Sequence, residues 1–133
     1  MEPLGTARQI LQGLTVLLVE DSPDNCEIFT YFLDRAGAKV DVARDGRQGI
    51  EAARRSPDLI LIDIQLPYID GKQATRAIRS EGYRQPIVAL TAHTFPEERR
   101  ACLAAGCNGL IGKPIRGDDF VAQVAQFVER RDA

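Results

Sequence analysis

Glu20 and Asp21 follow directly on one short apolar run, Val16–Val19, and Asp63 closes another, Leu59–Ile62. Two further runs deliver Thr91, after Pro86–Leu90, and Lys113, after Asn108–Gly112. Carboxylates gathered in one cleft repel and raise each other's pKa unless a cation sits among them. An all-oxygen set selects Mg²⁺ or Mn²⁺, and the lack of His and Cys at these positions argues against zinc and copper. Mg²⁺ keeps several waters, so two carboxylates, one backbone carbonyl and a phosphoryl oxygen fit its habits. Lys113 is a mobile point charge suited to a phosphoryl oxygen, and Thr91 can donate one hydrogen bond to another. Asp63 lies between the charged groups of the first and last runs, placed to attack phosphorus in line while cations neutralise the equatorial oxygens. Each residue alone has an ordinary explanation: Asp21 as a helix cap, Asp63 as a turn former, Lys113 as a solvated charge. Their joint placement singles them out.

These groups meet only if the runs are neighbouring strands that end on one edge. Residues 14–19 (LTVLLV) are short, apolar and branched, and charge stops them, which reads as a buried strand. Ser22-Pro23-Asp24 then carries helix-start signals, Ile28, Phe29, Phe32, Leu33 and Ala36 share one face, and Gly37 supplies the stop. The alternation repeats with a strand over 39–43, a helix over 45–56 and a strand over 58–62. It continues through a helix around Ala74, Ala77 and Ile78, a strand over 86–90, and a helix from Pro96 closed by Gly106. A weak strand over 108–112 precedes a last helix marked by Phe120, Val121, Val124, Phe127 and Val128. Five strands alternating with five helices predict an α/β fold, a doubly wound parallel sheet with helices on both faces and right-handed crossovers. Ligands of such sheets bind beyond the carboxyl ends of the strands, where the polar groups fall.

A chain of 133 residues suits one domain, placed over 14–133, with 1–13 as an N-terminal arm or linker. Lys and Arg number 17 against 19 Asp and Glu, so the charge balance gives no argument for nucleic acid or an anionic membrane. The apolar runs fall far short of the ~20 residues of a membrane helix, and the first segment lacks the apolar stretch of a secretory signal. A cytoplasmic domain without membrane contact is expected. Cys26, Cys102 and Cys107 lack metal-ligand spacing and read as small buried hydrophobes; on one helix, 102 and 107 would point to different faces. His93, the only histidine, reads as an exposed loop residue.

Leu18-Val19-Glu20-Asp21, Leu61-Ile62-Asp63-Ile64-Gln65-Leu66-Pro67, Asp70-Gly71, Ala89-Leu90-Thr91-Ala92 and Gly112-Lys113-Pro114 together resemble the receiver domain of two-component response regulators. The resemblance runs from about Leu14 to the C-terminus. It implies a flavodoxin-like five-stranded sheet of order 2-1-3-4-5 and a cis Lys113–Pro114 bond, proline being the residue that tolerates cis. It implies Asp63 as phosphoacceptor, Glu20, Asp21, Asp63 and the Gln65 carbonyl as the Mg²⁺ shell, Thr91 as the switch hydroxyl and Lys113 on the phosphoryl group. The implied function is a phosphorelay step. The domain takes a phosphoryl group from the phosphohistidine of a histidine kinase or histidine phosphotransfer domain and then switches conformation. It is not an enzyme beyond its own phosphorylation and dephosphorylation. The segment running from Thr91-Ala92-His93-Thr94 through Ala104-Ala105-Gly106 is most similar to receivers of hybrid sensor histidine kinases.

Two positions depart from the family pattern. Leu66 replaces a methionine, a volume-conserving change. Leu110 stands where the family has Tyr or Phe, so no ring can swing inward, and Thr91 is expected to act on the fourth helix through residues 92–95. The fourth and last helices, with the fifth strand between them, are the expected partner surface, Arg99 and Arg100 included. An aspartyl-phosphate hydrolase would want a second acid where Gln65 stands. A nucleotide-binding module would want a glycine-rich loop in place of Glu20-Asp21-Ser22-Pro23.

Overall fold

Branched apolar residues build five strands: β1 (Thr15–Val19), β2 (Lys39–Ala43), β3 (Leu59–Asp63), β4 (Ile87–Thr91) and β5 (Gly109–Gly112). The computed structural model describes residues 9–129. All strand pairs are parallel, in the order β2-β1-β3-β4-β5. Between the strands run α1 (Pro23–Arg35), α2 (Gly46–Ala53), α3 (Gly71–Ser80) and α4 (Pro96–Ala105), and α5 (Gly117–Glu129) ends the series. The chain passes from β1 out to the β2 edge and returns to β3, so the strand order reverses between β1 and β3. This is the doubly wound, flavodoxin-like sheet expected from the sequence, and its switch point falls at Glu20, Asp21 and Asp63.

Strand alternation divides the core in two. Val16, Leu18 and Leu61 pack with Phe29 and Leu33 of α1 and Phe120 and Val124 of α5. On the other face, Leu17, Val19, Ile60 and Ile62 meet Ala74 and Ile78 of α3 and Cys102 of α4. Every residue of β3 is buried, as a central parallel strand requires. Among the described residues strand β2 pairs only with β1, and Val42 on this edge strand is 43% exposed. Leu11, placed in the arm by the sequence reading, is buried, and its N–H donates to the Ala36 carbonyl at 2.8 Å. Residues 1–8 of that expected arm lie outside the described residues.

The helix ends obey local chemistry. Ser22 caps α1 with Pro23 in its first turn, and Asp70 and Gln73 close a reciprocal capping box on α3. Gly106 ends α4 in the left-handed region at φ 116°. The helix expected over 45–56 stops at Ala53, because Ser56 precedes Pro57 and takes φ 58° rather than a helical angle. The expectation that Cys102 and Cys107 diverge is also corrected. The helix ends before Cys107, whose N–H turns back to the Cys102 carbonyl at 3.0 Å, and both side chains enter the same buried region. Burial first, and the neighbouring Cys107 second, push the Cys102 thiol up to about 11. The Lys113–Pro114 bond is cis. Among the described residues no helix is long and apolar enough to cross a membrane.

Candidate functional site

Strand β1 hands its last residues to the switch point. Glu20 is fully buried, and its N–H still follows the β1–β2 ladder, donating to the Ala43 carbonyl at 2.9 Å. Its Oε2 accepts from the Ser22 N–H at 3.2 Å and from Asn25 Nδ2 at 3.4 Å, both at the start of α1. Cys26 Sγ donates to the Glu20 carbonyl at 3.2 Å. The other carboxylate oxygen, Oε1, makes no hydrogen bond among the described residues and lies 3.5 Å from Lys113 Nζ. Asp63, at the end of β3, is buried; its Oδ1 accepts from the Gln65 N–H at 3.0 Å and its Oδ2 from Lys113 Nζ at 3.1 Å. Asp21 is exposed, yet Glu20, Asp21 and Asp63 each bring an oxygen within 4.8 Å of the others. The structure therefore brings the three acids together, with Lys113 beside Glu20 and Asp63.

Thr91 is buried at the end of β4, but its hydroxyl is committed to its own loop. It accepts from the His93 N–H at 3.0 Å and donates to the His93 carbonyl at 3.3 Å. Gln65 has an exposed side chain, and its N–H places it directly beside the Asp63 carboxylate. Leu110 is buried among the apolar side chains on the α3–α4 face of the sheet.

Burial, and next the charge of Asp63, raise the Glu20 carboxyl above its ordinary pKa; Lys113 and the two hydrogen bonds on Oε2 oppose that rise. Glu20 and Asp63 share one lysine, Asp21 lies beside them, and among the described residues one buried carboxylate oxygen finds no hydrogen-bond partner. An all-oxygen cluster with such an orphan fits a hard divalent cation of the Mg²⁺ type.

Sequence reasoning missed the end of β2. Arg44 follows that strand, and its Nη2 donates to the Asp21 carbonyl at 3.2 Å. The signal was available, since the rule that directs attention to strand ends applies to the edge strand as well.

Fold and cluster define a class: a doubly wound α/β domain with an acidic cleft at its topological switch point. The family model for the response regulator receiver domain matches residues 16–125, and the chain belongs to that family, the receivers of two-component systems. It is similar to part of the sensor histidine kinase GacS of Pseudomonas protegens, at 41% identity over 106 residues. The match covers 75% of this chain and spans only 12% of the kinase. The receiver domain of the Pseudomonas aeruginosa sensor histidine kinase PA1611, with magnesium coordinated in its active-site cleft, matches at TM-score 0.81 and 37% identity, over 88% of this chain and 98% of that one. The receiver domain of Saccharomyces cerevisiae Ssk1, crystallised with the histidine phosphotransfer protein Ypd1, matches at TM-score 0.81 and 26% identity, over 89% of this chain and 90% of that one.

Proposed function

We propose that this chain accepts a phosphoryl group from phosphohistidine onto Asp63 and changes conformation in response. The observation that carries the reading is Lys113 Nζ at 3.1 Å from Asp63 Oδ2, inside a cluster whose three acids lie within 4.8 Å of one another. Glu20, Asp21, Asp63 and the Gln65 carbonyl are the proposed holders of Mg²⁺, with Mn²⁺ meeting the same oxygen preference. When bound, the cation supplies charge neutralisation to the transferring phosphoryl oxygens. The magnesium in the cleft of the PA1611 receiver supports this assignment.

The chain's own residues do the rest. The Gln65 N–H on Oδ1 and the Lys113 ammonium on Oδ2 fix the Asp63 carboxylate from two sides, which removes rotational freedom before attack. An Asp63 oxygen forms the new O–P bond as the N–P bond of the donor breaks, and the donor imidazole keeps the electron pair. Lys113 then has a phosphoryl oxygen to pair with, and the Thr91 hydroxyl can leave His93 for another.

The proposed partner is a histidine kinase or a histidine phosphotransfer domain; the pairing of Ssk1 with Ypd1 supports this class. Ile28, Phe29, Ala92, Pro114 and Ile115 line a mainly apolar hollow that Lys113 also lines. That hollow favours approach over α1 and the segment after β5, whereas Arg99 and Arg100 are simply exposed on α4. A reducing, cytoplasmic setting is proposed from three cysteines that are all free and buried.

Incubation with Mg²⁺ and acetyl phosphate should add one phosphoryl group by intact mass, and chelation of the metal should prevent it. Steady release of phosphate without a labelled protein would point to a phosphatase. No reaction at all would leave only a binding surface. Beryllofluoride, added with Mg²⁺ to the isotopically labelled protein, should shift the amides of residues 92–95 more than that of Leu110. Leucine has no ring to turn inward, so the Thr91 loop carries the change. Equal shifts at Leu110 would show that the aliphatic side chain reports the switch after all.

A further inference from the structure

Arg44 follows β2 directly and takes no part in the phosphoryl transfer proposed for Asp63. The start of α2 fixes its backbone: the Arg44 N–H donates to Gln48 Oε1 at 2.9 Å, and the Gln48 N–H donates to Asp45 Oδ1 at 2.8 Å. From this base the guanidinium reaches the Asp21 carbonyl, beside the acid cluster. Among the described residues no carboxylate pairs with Arg44, so its charge stands unneutralised at the rim. The sheet order places it on the β2 flank and Lys113 on the β5 flank, with the acids of β1 and β3 between them.

We propose that Arg44 is a second cation of this site, one that weakens the hold on a divalent metal ion and favours phosphodonors of higher negative charge. The proposal rests on the phosphoacceptor reading of Asp63. The Arg44 guanidinium repels a divalent cation held by Asp21 and attracts an anionic donor at the cleft mouth. Both effects are Coulombic and exposed, so both shrink in salt.

The test compares wild type, Arg44→Gln and Arg44→Lys, all checked for unchanged melting. At low ionic strength, calorimetric titration should show Arg44→Gln binding Mg²⁺ about threefold tighter, with the difference shrinking in high salt. At saturating Mg²⁺, the labelling rate with dianionic acetyl phosphate relative to monoanionic phosphoramidate should fall about threefold in Arg44→Gln. Arg44→Lys should stay near wild type on both measures. An unchanged Mg²⁺ affinity or an unchanged donor ratio in Arg44→Gln overturns the proposal. So does a lysine variant that behaves like glutamine, since the hydrogen bond rather than the charge would then be responsible. Wild type that accepts phosphoryl from neither donor would remove the phosphoacceptor reading and this proposal together. Labelled wild type with an unchanged ratio removes this proposal alone.

Discussion

Asp63→Asn should take up no phosphoryl group, and without Mg²⁺ it should fold more stably than the wild type. The first effect follows from losing the proposed nucleophile, because an amide oxygen does not form an acyl phosphate under these conditions. The second follows from the local charges. Glu20 is held above its ordinary pKa by burial and by the Asp63 charge, so neutralising position 63 relieves one of the two causes. Asparagine keeps an oxygen for the Gln65 N–H. Its cost is the Lys113–Asp63 pair, but Lys113 retains Glu20 at 3.5 Å and is not left as an uncompensated charge. The balance should be about 1 kcal/mol in favour of the variant. Added Mg²⁺ should narrow or reverse the gap, because the wild type offers the cation one more carboxylate.

The pH dependence has a definite sign. A carboxyl whose folded pKa is raised contributes stability that is fully present below its unfolded pKa and is lost as pH rises through the folded value. Metal-free wild type should therefore lose stability as pH climbs through and above the ordinary carboxylate range, and Asp63→Asn should flatten that decline. Urea melts with and without Mg²⁺ across this range, together with intact-mass labelling, check every part. Labelling of the variant at the wild-type level would remove Asp63 as the acceptor. A metal-free variant less stable than wild type would mean that the lysine pair outweighs the carboxylate repulsion.

Much of the site was legible because the sheet is parallel and buried. Strands such as Leu59–Asp63 must be continuously apolar, so the first charged residue after each run marks its end, and one-sided strand ends bring those residues together. Glu20, Asp21, Asp63 and Lys113 were singled out on that ground. What the sequence hid depends on terms with no periodic signature. The Thr91 hydroxyl bonds within its own loop to His93, a choice set by local turn geometry rather than by strand position. Arg44 escaped notice because β2 is an edge strand whose alternating polar residues mask where it ends. The approach of Cys107 to Cys102 depends on where α4 stops, and a one-residue change in a helix end redirects the side chain that follows.

Gly71→Ala is expected to destabilise the fold by about 3 kcal/mol and to slow phosphoryl uptake, although helix propensity alone predicts the opposite sign. Gly71 opens α3, where alanine would ordinarily gain roughly 1 kcal/mol over glycine. Here a Cβ would run into the Asp63 carbonyl oxygen and come within 2.7 Å of Ile64 Cα. Both obstacles are backbone, so no side-chain rotation removes them. Nor can α3 easily retreat. The Gly71 N–H holds the Ile64 carbonyl at 2.9 Å, and the Asp70–Gln73 box pins the first turn through bonds of 2.8 and 3.0 Å. The strain therefore passes to the peptide of Asp63, which is why labelling should suffer along with stability. Gly82→Ala is the natural contrast, since nothing lies within 4 Å of its Cβ position and only the φ of +97° opposes the change. That variant should lose about 1 kcal/mol and label at the wild-type rate. If Gly71→Ala melts with the wild type and is phosphorylated as fast, β3 and α3 have slack between them, and the close approach does not position Asp63.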